Sequence, residues 1–421
     1  MKNIVPPLNS GSWKVWTPKE NKMPIATYSD SELSLCSKSY TDCGMWVCEF
    51  DVTPGQDYEF SVEVRTERID YNISCVRAIV AWLDSSGELM RCDYAIYSEK
   101  LDKHKYKLSK HVKAPNGPPY QKDAVKARME LLLWNTDSGK VTFTNPVFEE
   151  SLPVKHRIVR VATTYISPYA DDAKTYEDRL KKIIRTADEA GKLSPDIVCF
   201  SECIATRELR MTKEEASQTV PGPLTDLIAQ KAKEYNCYMV FNLPEVEDGF
   251  FYNTSVLIDR EGNIAGKYHK VHLTYSECTK GTTSGRTYPV FQTDFGKIGL
   301  SICFDHFFPE SIRQLAVGGA EMIFVSTAGD GYMQSTARAM DNGIPICISC
   351  VNHAKASPWP QSRIVKPDGV ILAGTMSDCG AAVASVDLDD PFTSFWFSIG
   401  PAYVEKRDVF LSEARPDTYK L

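Results

Sequence analysis

Three residues whose side chains can carry out carbonyl chemistry stand next to predicted strands. Cys303 follows the apolar run Lys297–Ile302 and precedes a predicted helix. A cysteine at such a strand exit lies above the sheet, near helix-terminal N–H groups that favour a thiolate. Glu202 directly follows the run Ile197–Phe200, and Lys270 lies in a segment that would ordinarily be an exposed strand. Each residue alone has an ordinary structural explanation, so only their combination is informative.

The composition is that of an ordered globular protein with more than one domain. The chain has 421 residues, of which 43% are hydrophobic, which predicts about two or three domains. The net charge is −7 and neither half is basic, so we expect no nucleic-acid and no membrane partner. No apolar run is long enough to span a bilayer. The N-terminal residues lack the apolar core of a signal peptide. The thirteen cysteines lack the tight spacing of a disulfide framework. Both observations predict a cytoplasmic protein with reduced thiols.

Residues 1–150 are predicted to form an all-β accessory domain. Turn residues such as Pro54-Gly55 separate short runs of alternating polarity, a pattern typical of a β-sandwich or jelly roll. The predicted strands are Met45–Val52, Tyr58–Val64, Val76–Leu83, Ala127–Trp134 and Val141–Phe148. Lys103, Lys105 and Lys107 occupy alternate positions, which predicts a charged row along an exposed sheet edge.

Strands alternate with helices from about Arg157, which predicts an α/β catalytic domain over residues 156–421. An apolar stripe at helical spacing ends near Gly191, and a second one runs from Leu224 to Ala232. The other predicted helices are Pro309–Val317 and Ser335–Asn342. The predicted strands are Ile158–Ala162, Ile197–Phe200, Tyr238–Asn242, Ser255–Ile258, Lys297–Ile302, Met322–Ser326 and Ile346–Val351.

The order Glu202, Lys270, Cys303, each residue at its own strand exit, resembles the nitrilase superfamily of carbon–nitrogen hydrolases. The other segments that carry the resemblance are Phe251–Ser255, Asp294–Gly299, Phe308–Glu310, Ala337–Asn342, Lys366–Gly369 and Arg415–Tyr419. Asp341 replaces a glutamate of the family's pattern. The resemblance covers about residues 156–421 and leaves residues 1–150 outside. It implies a four-layer α–β–β–α sandwich, preceded here by a jelly-roll-like all-β domain.

The family's chemistry assigns a role to each of these residues. By resemblance, Glu202 is the general base that takes the proton from Cys303, whose thiolate attacks an amide-type carbonyl. Lys270, together with the backbone N–H of Phe304, stabilises the oxyanion. Loss of the amine leaves a thioester on Cys303, which water then hydrolyses. Glu277, seven residues after the lysine, matches a second carboxylate of many members, which would orient the substrate and Lys270.

Four further residues are predicted to bind the substrate. They are Phe304, His306 and Phe307, which follow the cysteine, and Tyr252, from the segment before the lysine strand. Nitrilases that this chain resembles carry Trp where it has Phe304, which disfavours a nitrile. The four residues after Cys303 include no arginine, whereas some carbamoylase and amidase branches have one there. We therefore expect an amide or N-carbamoyl substrate without a carboxylate near the reacting carbon.

A metal centre is not expected, and neither is a cofactor. His269 and His272, and likewise Cys347 and Cys350, are spaced as pairs, but neither pair has the second pair that a zinc site needs. A pairing of His306 with Cys303, as in cysteine proteases, is disfavoured because the two residues are only three positions apart.

Two other functions stay open at this stage. The same acyl-enzyme could transfer its acyl group to an amine, or a carbohydrate- or ligand-binding role of residues 1–150 could dominate. The resemblance also implies a homodimer or larger homo-oligomer. The segment Pro391–Leu421 is rich in aromatic residues, so we expect it to cross to a partner subunit.

Overall fold

The chain forms two compact units. The computed structural model describes residues 2–69, 72–329, 331–351, 359–396 and 402–419. One unit consists of Met1–Lys155 together with Pro391–Leu421, and the other consists of His156–Asp390. This division differs from the expected 156–421 domain at its C-terminal end, because the tail packs within the first unit.

The first unit is built mainly from antiparallel strands. Its strands before the tail are β1 (Lys14–Trp16), β2 (Ile25–Tyr28), β3 (Glu32–Cys36), β4 (Gly44–Asp51), β5 (Asp57–Glu67), β6 (Val76–Leu83), β7 (Leu89–Asp102), β8 (Lys105–Lys113), β9 (Lys126–Leu133) and β10 (Lys140–Ser151). The short helix α1 (Asn72–Cys75) and a 3-10 turn (Glu20–Lys22) lie between them. The strands pair in the order β1-β4-β9-β6-β7-β8-β5-β10-β3-β2. The all-β prediction for this region is confirmed, and the jelly-roll connectivity stays a prediction.

The long strand β7 connects the two halves of this strand order. Its first half pairs with β6 and its second half with β8. Side chains from both halves share one buried core that includes Trp82, Phe60 and Phe148. The predicted exposed lysine edge is wrong, since β8 is hydrogen-bonded on both sides, to β5 and to β7. Lys105 forms an ion pair with Glu63 across this pairing, so this lysine contacts an opposite charge on a neighbouring strand.

The C-terminal tail contributes β23 (Thr393–Trp396), β24 (Ala402–Glu405) and α8 (Lys406–Ser412) to the first unit. β24 pairs in parallel with β7. Val404 and Val409 are buried in a cluster with Ile79 and Tyr94. The apolar side chains of β24 and α8 are therefore covered within their own chain. Phe395 stays exposed, and the expected crossing of the tail to a partner subunit stays a prediction.

The second unit alternates strands and helices. Its strands are β11 (Ile158–Tyr165), β12 (Ile197–Cys199), β13 (Tyr238–Glu247), β14 (Phe250–Ile258), β15 (Ile264–His269), β16 (Val290–Gln292), β17 (Lys297–Ile302), β18 (Met322–Thr327), β19 (Ile346–Cys350), β20 (Ser362–Val365), β21 (Ile371–Thr375) and β22 (Gly380–Asp387). Its helices are α2 (Tyr176–Gly191), α3 (Lys213–Ala216), α4 (Pro223–Tyr235), α5 (Tyr275–Thr279), α6 (Pro309–Val317) and α7 (Tyr332–Asn342), with a 3-10 turn over Cys303–Phe307.

These strands form two six-stranded sheets, ordered β15-β14-β13-β12-β11-β22 and β16-β17-β18-β19-β20-β21. The three central strands of each sheet are parallel, so their carboxyl ends lie at one edge, where α/β sheets carry their sites. Apolar side chains of both sheets, among them Val161, Leu300 and Phe324, share one buried cluster. A second cluster joins helices α2 and α4 to the first sheet.

Local sequence signals explain where the helices begin and end. Helix α2 starts with a capping box, in which the Thr175 hydroxyl accepts from the backbone N–H of Asp178 and the Asp178 carboxylate accepts from Thr175. Pro309 occupies the first turn of α6, where its missing N–H costs no hydrogen bond. Among the described residues, no helix combines the length and the apolar character needed to cross a bilayer.

Candidate active site

One cavity in the second unit is lined by the four residues predicted to be catalytic. Glu202, Lys270, Glu277 and Cys303 all border this space of about 530 Å³. Three of them come from strand ends, since Glu202 follows β12, Lys270 follows β15 and Cys303 follows β17, while Glu277 lies on α5. The structure therefore brings together all four side chains that the sequence singled out for chemistry.

Lys270 is almost completely buried between two carboxylates. Its Nζ donates to Glu202 Oε1 at 3.0 Å and to both carboxylate oxygens of Glu277 at 2.9 Å. Burial lowers the pKa of Lys270, but Glu202, Cys303 and Glu277 outweigh burial, so the pKa stays above its usual value. Burial raises the pKa of Glu277, but the Lys270 ammonium outweighs this effect and leaves the pKa below its usual range. A charged ammonium is thus available to stabilise an oxyanion.

Glu202 is 2% exposed and accepts hydrogen bonds from three side chains. Besides Lys270, Asn253 Nδ2 on β14 donates to Glu202 Oε1 at 2.9 Å, and Arg207 Nη2 donates to Glu202 Oε2 at 2.9 Å. Asn253 Nδ2 also lies 2.9 Å from Glu277 Oε1, so one amide connects both carboxylates. The Asn253 carbonyl oxygen in turn accepts from Asn242 Nδ2 at 3.0 Å. These bonds hold the Glu202 carboxylate in one orientation, as a positioned base requires.

Cys303 occupies a strained backbone position at the junction of β17 and its 3-10 turn. Its φ is 45°, a left-handed conformation that costs a non-glycine residue about 1–3 kcal/mol. Such a turn exposes a nucleophile above the end of a sheet. Burial, and then the negative charge of Glu202, raise the pKa of the Cys303 thiol, while Lys270 and hydrogen bonds from Thr327 and Ala328 oppose this rise. The raised pKa disfavours the thiolate, in contrast to the expectation from the position of Cys303 before a helix.

The turn after Cys303 is tied to the segment that carries Lys270. Asp305 is completely buried, and its carboxylate accepts from the Tyr268 hydroxyl at 2.7 Å and from the backbone N–H of His272 at 2.8 Å. The backbone N–H of Ile302 donates to the same carboxylate at 3.1 Å. Tyr268 and His272 flank Lys270 in sequence, and Ile302 precedes Cys303. Asp305 thus fixes the lysine relative to the nucleophile.

The family model described as carbon–nitrogen hydrolase matches residues 160–393. This chain belongs to the carbon–nitrogen hydrolase family. The match includes all of the second unit's catalytic candidates and excludes the first ten strands. The protein is therefore a hydrolase with the carbon–nitrogen hydrolase fold, and its Glu–Lys–Cys set is typical of the family.

Comparison with known proteins finds relatives of several kinds. A probable nitrilase of Schizosaccharomyces pombe is 27% identical over 62% of this chain and 97% of its own length. An omega-amidase of Xenopus laevis is 29% identical over 50% of this chain and 83% of its own length. The solved structure of a nitrilase-superfamily member from Saccharomyces cerevisiae is 21% identical and covers 55% of this chain and 90% of its own, with a TM-score of 0.48.

The residues predicted to bind substrate in this carbon–nitrogen hydrolase fall into two groups. Tyr252 lines the cavity and stacks on His269, with ring centroids 4.0 Å apart. Phe304, His306 and Phe307 are not among the described residues that line it. The Phe304 and Phe307 rings pack on each other at 6.1 Å, and His306 is buried against Phe307. The structure thus brings only Tyr252 to the cavity wall.

Sequence reasoning missed the residues that connect the catalytic groups of this carbon–nitrogen hydrolase. Asn253 lies in a motif that was recognised, but its side chain was given no role. Arg207 follows Glu202 by five positions and Asp305 follows Cys303 by two. A charged residue so close to a candidate catalytic residue was a usable signal for both of these positions. Their partners, however, depend on the folded chain.

Among the described residues, one cluster has the geometry to hold a metal ion, namely Glu245, Glu247 and His269. Lys267 Nζ already lies 2.8 Å from Glu245 Oε1 and also pairs with Glu247. An ammonium therefore supplies the positive charge in this cluster. His269 and His272 do not share a ligand position, because His269 contacts Glu245 at 3.0 Å and His272 contacts Asp305 at 3.1 Å.

Proposed function

We propose that this enzyme hydrolyses the C–N bond of a small amide or N-carbamoyl compound through a thioester on Cys303. Hydrolysis of amide-type C–N bonds is the activity named for its relatives, which include omega-amidases and a beta-ureidopropionase of Arabidopsis thaliana that is 32% identical over 42% of this chain and 47% of its own length. The observation that carries the finer proposal is the arrangement of Glu202, Lys270 and Cys303 around one cavity.

The first half-reaction forms the thioester. Glu202 takes the proton from the Cys303 thiol, and the sulfur attacks the carbonyl carbon, so a C–S bond forms and the oxygen becomes negative. The Lys270 ammonium stabilises this oxyanion. The C–N bond then breaks, Glu202 gives its proton to the departing amine or ammonia, and the acyl group stays on sulfur.

The second half-reaction releases the acid. Glu202 takes a proton from water, whose oxygen attacks the thioester carbonyl and forms a second oxyanion near Lys270. The C–S bond breaks and the sulfur regains its proton from Glu202. Atoms balance over the cycle, since one amide and one water give one acid and one amine. Glu277 acts by holding Lys270, to which it offers both oxygens.

Mass spectrometry of Cys303 tests this proposal directly. The enzyme is incubated with a panel of amides and carbamoyl compounds, and an acyl adduct on the peptide containing Cys303 is sought together with the released acid and amine. We expect Cys303→Ala to lose both the adduct and hydrolysis, and Glu202→Gln to lose hydrolysis. Cys278→Ala is the matched control, since Cys278 is exposed. Substantial hydrolysis by Cys303→Ala would sink the mechanism.

We also propose a layer order for the second unit, a cellular location and an oligomeric state. Helices α2 and α4 pack on one sheet of the second unit and α6 and α7 on the other, which supports the expected four-layer α–β–β–α stacking. All thirteen cysteines are free, in agreement with a cytoplasmic location. Exposed apolar side chains such as Met333 and Val370 support a homodimer or larger homo-oligomer, which light scattering at micromolar concentration would measure.

A further inference from the structure

The two oxygens of the Glu202 carboxylate have different neighbours. Oε1 accepts from Lys270 Nζ at 3.0 Å and from Asn253 Nδ2 at 2.9 Å. Among the described residues, Oε2 accepts from Arg207 Nη2 alone, at 2.9 Å. Because an ionised carboxylate oxygen has about two acceptor sites, Oε1 is fully occupied and Oε2 keeps one site. The oxygen that is able to accept a further proton is therefore Oε2, the one that Arg207 contacts.

Arg207 is fixed through both its side chain and its main chain. Its Nε donates to the backbone oxygen of Glu202 at 3.4 Å, so the guanidinium contacts two parts of the same residue. The backbone N–H of Arg207 donates to the Cys203 oxygen at 2.8 Å. The Arg207 carbonyl accepts from Arg179 Nη2 at 3.2 Å, and Arg179 is only 1% exposed. The fold thus places this guanidinium before any substrate binds, as a preorganised site requires.

Arg207 also completes the charge balance among the catalytic groups. Glu202 and Glu277 share the single ammonium of Lys270, so two negative charges face one positive charge until Arg207 is counted. Burial lowers the pKa of Arg207, but nearby negative groups, first Glu202 and further on Cys303, outweigh burial and keep the pKa above its usual value. The same guanidinium therefore favours negative charge on the base and on the sulfur.

We propose that Arg207 is a positioning residue that fixes Glu202 Oε2 as the atom that exchanges protons with Cys303 and with water. The inference rests on the proposed function, since it assigns the proton transfers of that mechanism to one oxygen. The proton moves from Cys303 Sγ to the free site on Oε2 and then to the leaving nitrogen. In the second half-reaction Oε2 takes a proton from water and returns it to the sulfur. Lys270 stays on Oε1 throughout, where it remains available to the oxyanion.

p-Nitrophenyl acetate probes these transfers without knowledge of the natural substrate. Its leaving group departs as an anion, so acetylation of Cys303 needs no proton from Glu202, whereas hydrolysis of the acetyl thioester needs a base for water. Arg207→Met should slow this hydrolysis about 10-fold or more. The pH below which hydrolysis is lost should rise, because the base loses a positive neighbour that favours its ionised form. Mass spectrometry of the peptide containing Cys303 measures both effects.

Two further variants separate the charge of Arg207 from its bulk. Arg207→Lys should retain part of the rate, because it keeps the positive charge. Guanidinium chloride at millimolar concentration should partly restore Arg207→Ala, whereas sodium chloride should not, because this side chain borders the cavity and its removal leaves room for the ion. Arg210→Met is the matched control, since it removes the same group from an exposed position in the same segment. It should leave the rate and the pH profile unchanged.

A double-variant cycle tests whether Arg207 acts through Glu202. Once Glu202→Gln has removed the base, Arg207→Met should cost nothing further. An equal loss with and without the Glu202 carboxylate would show that Arg207 only supports the turn that follows Glu202, and would overturn the inference.

The failure of this inference can be told from the failure of the proposed function. If the acetyl group on Cys303 is hydrolysed equally fast in Arg207→Met, with an unchanged pH profile, the cysteine mechanism stands and the role of Arg207 is wrong. If neither p-nitrophenyl acetate nor any amide or carbamoyl compound acylates Cys303, the proposed function itself fails.

Discussion

The carboxylate of Asp305 accepts a 2.7 Å hydrogen bond from the Tyr268 hydroxyl. Both groups are buried, and the bond joins the nucleophile turn to the strand that ends before Lys270. Hydrogen bonds to charged groups contribute about 1.5–3 kcal/mol to stability. The pair therefore contributes to the geometry of catalysis as well as to stability.

Tyr268→Phe and Asp305→Asn should each lower kcat by about 10-fold with little change in KM, because loosening this bond moves Lys270 relative to Cys303 without removing a substrate contact. The double variant should lose less than the product of the two single losses. Tyr238→Phe, which removes a buried hydroxyl bonded to the Asp294 N–H, is the control. If the variants have a lower melting temperature but an unchanged kcat, Asp305 has only a structural role.

The thiol of Cys303 should become more acidic when the charge of Glu202 is removed. Burial is the largest cause of the raised pKa of Cys303, and Glu202 is the next, so Glu202→Gln should move the midpoint of thiolate formation down by about one pH unit. Hydrolysis should nevertheless collapse, because the base is gone. Site-specific alkylation of Cys303 over a range of pH measures the midpoint, and Glu261→Gln, in an exposed turn, is the control. An unchanged midpoint would contradict the electrostatic account.

Asn253 should act as a positioning residue for both carboxylates. Its Nδ2 lies 2.9 Å from Glu202 and from Glu277, so Asn253→Asp would place a third acceptor where a donor is needed. We expect kcat to fall about 100-fold, since an unpaired buried group costs about 1–3 kcal/mol and a like charge adds to this. The residual activity of Asn253→Asp should rise as the pH is lowered, because one of the carboxylates is then protonated. Asn263→Asp, in an exposed turn, should leave the pH profile unchanged.

The C-terminal tail of the first unit should become less stable against unfolding as the pH rises. Burial, and then the charge of Glu405, raise the pKa of Asp408 to about 7, although Lys110 pairs with it. Because the folded state binds this proton more tightly than the unfolded state, the stability that it contributes is full below about pH 4 and is lost as the pH rises towards about 7.

Asp408→Asn should make the free energy of unfolding depend less on pH in this range, while Lys110 keeps its 2.7 Å ion pair with Glu405. Thermal unfolding and hydrogen exchange of residues 402–412 between about pH 5 and pH 8 measure the effect. Asp30→Asn gives the same change of charge at an exposed position in the same unit and should leave the slope as it is. An equally steep slope in Asp408→Asn would mean that another group titrates.

Local patterns in the sequence were sufficient to predict most of the second unit. Lys297–Ile302 and Pro309–Val317 have the predicted bounds, and α2 ends at the predicted Gly191, because apolar periodicity and capping depend on neighbours in sequence. In the first unit β6 has its predicted bounds, whereas β7 and β8 were not predicted. Each of them pairs with more than one strand, and their mixed polarity offers no regular local alternation from which to predict them.

The sequence by itself determined the chemical groups of the site, since the order of Glu202, Lys270 and Cys303 at strand ends is a linear pattern. Only the tertiary structure decided how those groups are held. Asn253 is 51 positions from Glu202, and Lys213 is 69 from Thr282. Hydrogen bonds of this kind act over a few ångströms in space, and no local pattern in a sequence records which residues the fold brings that close.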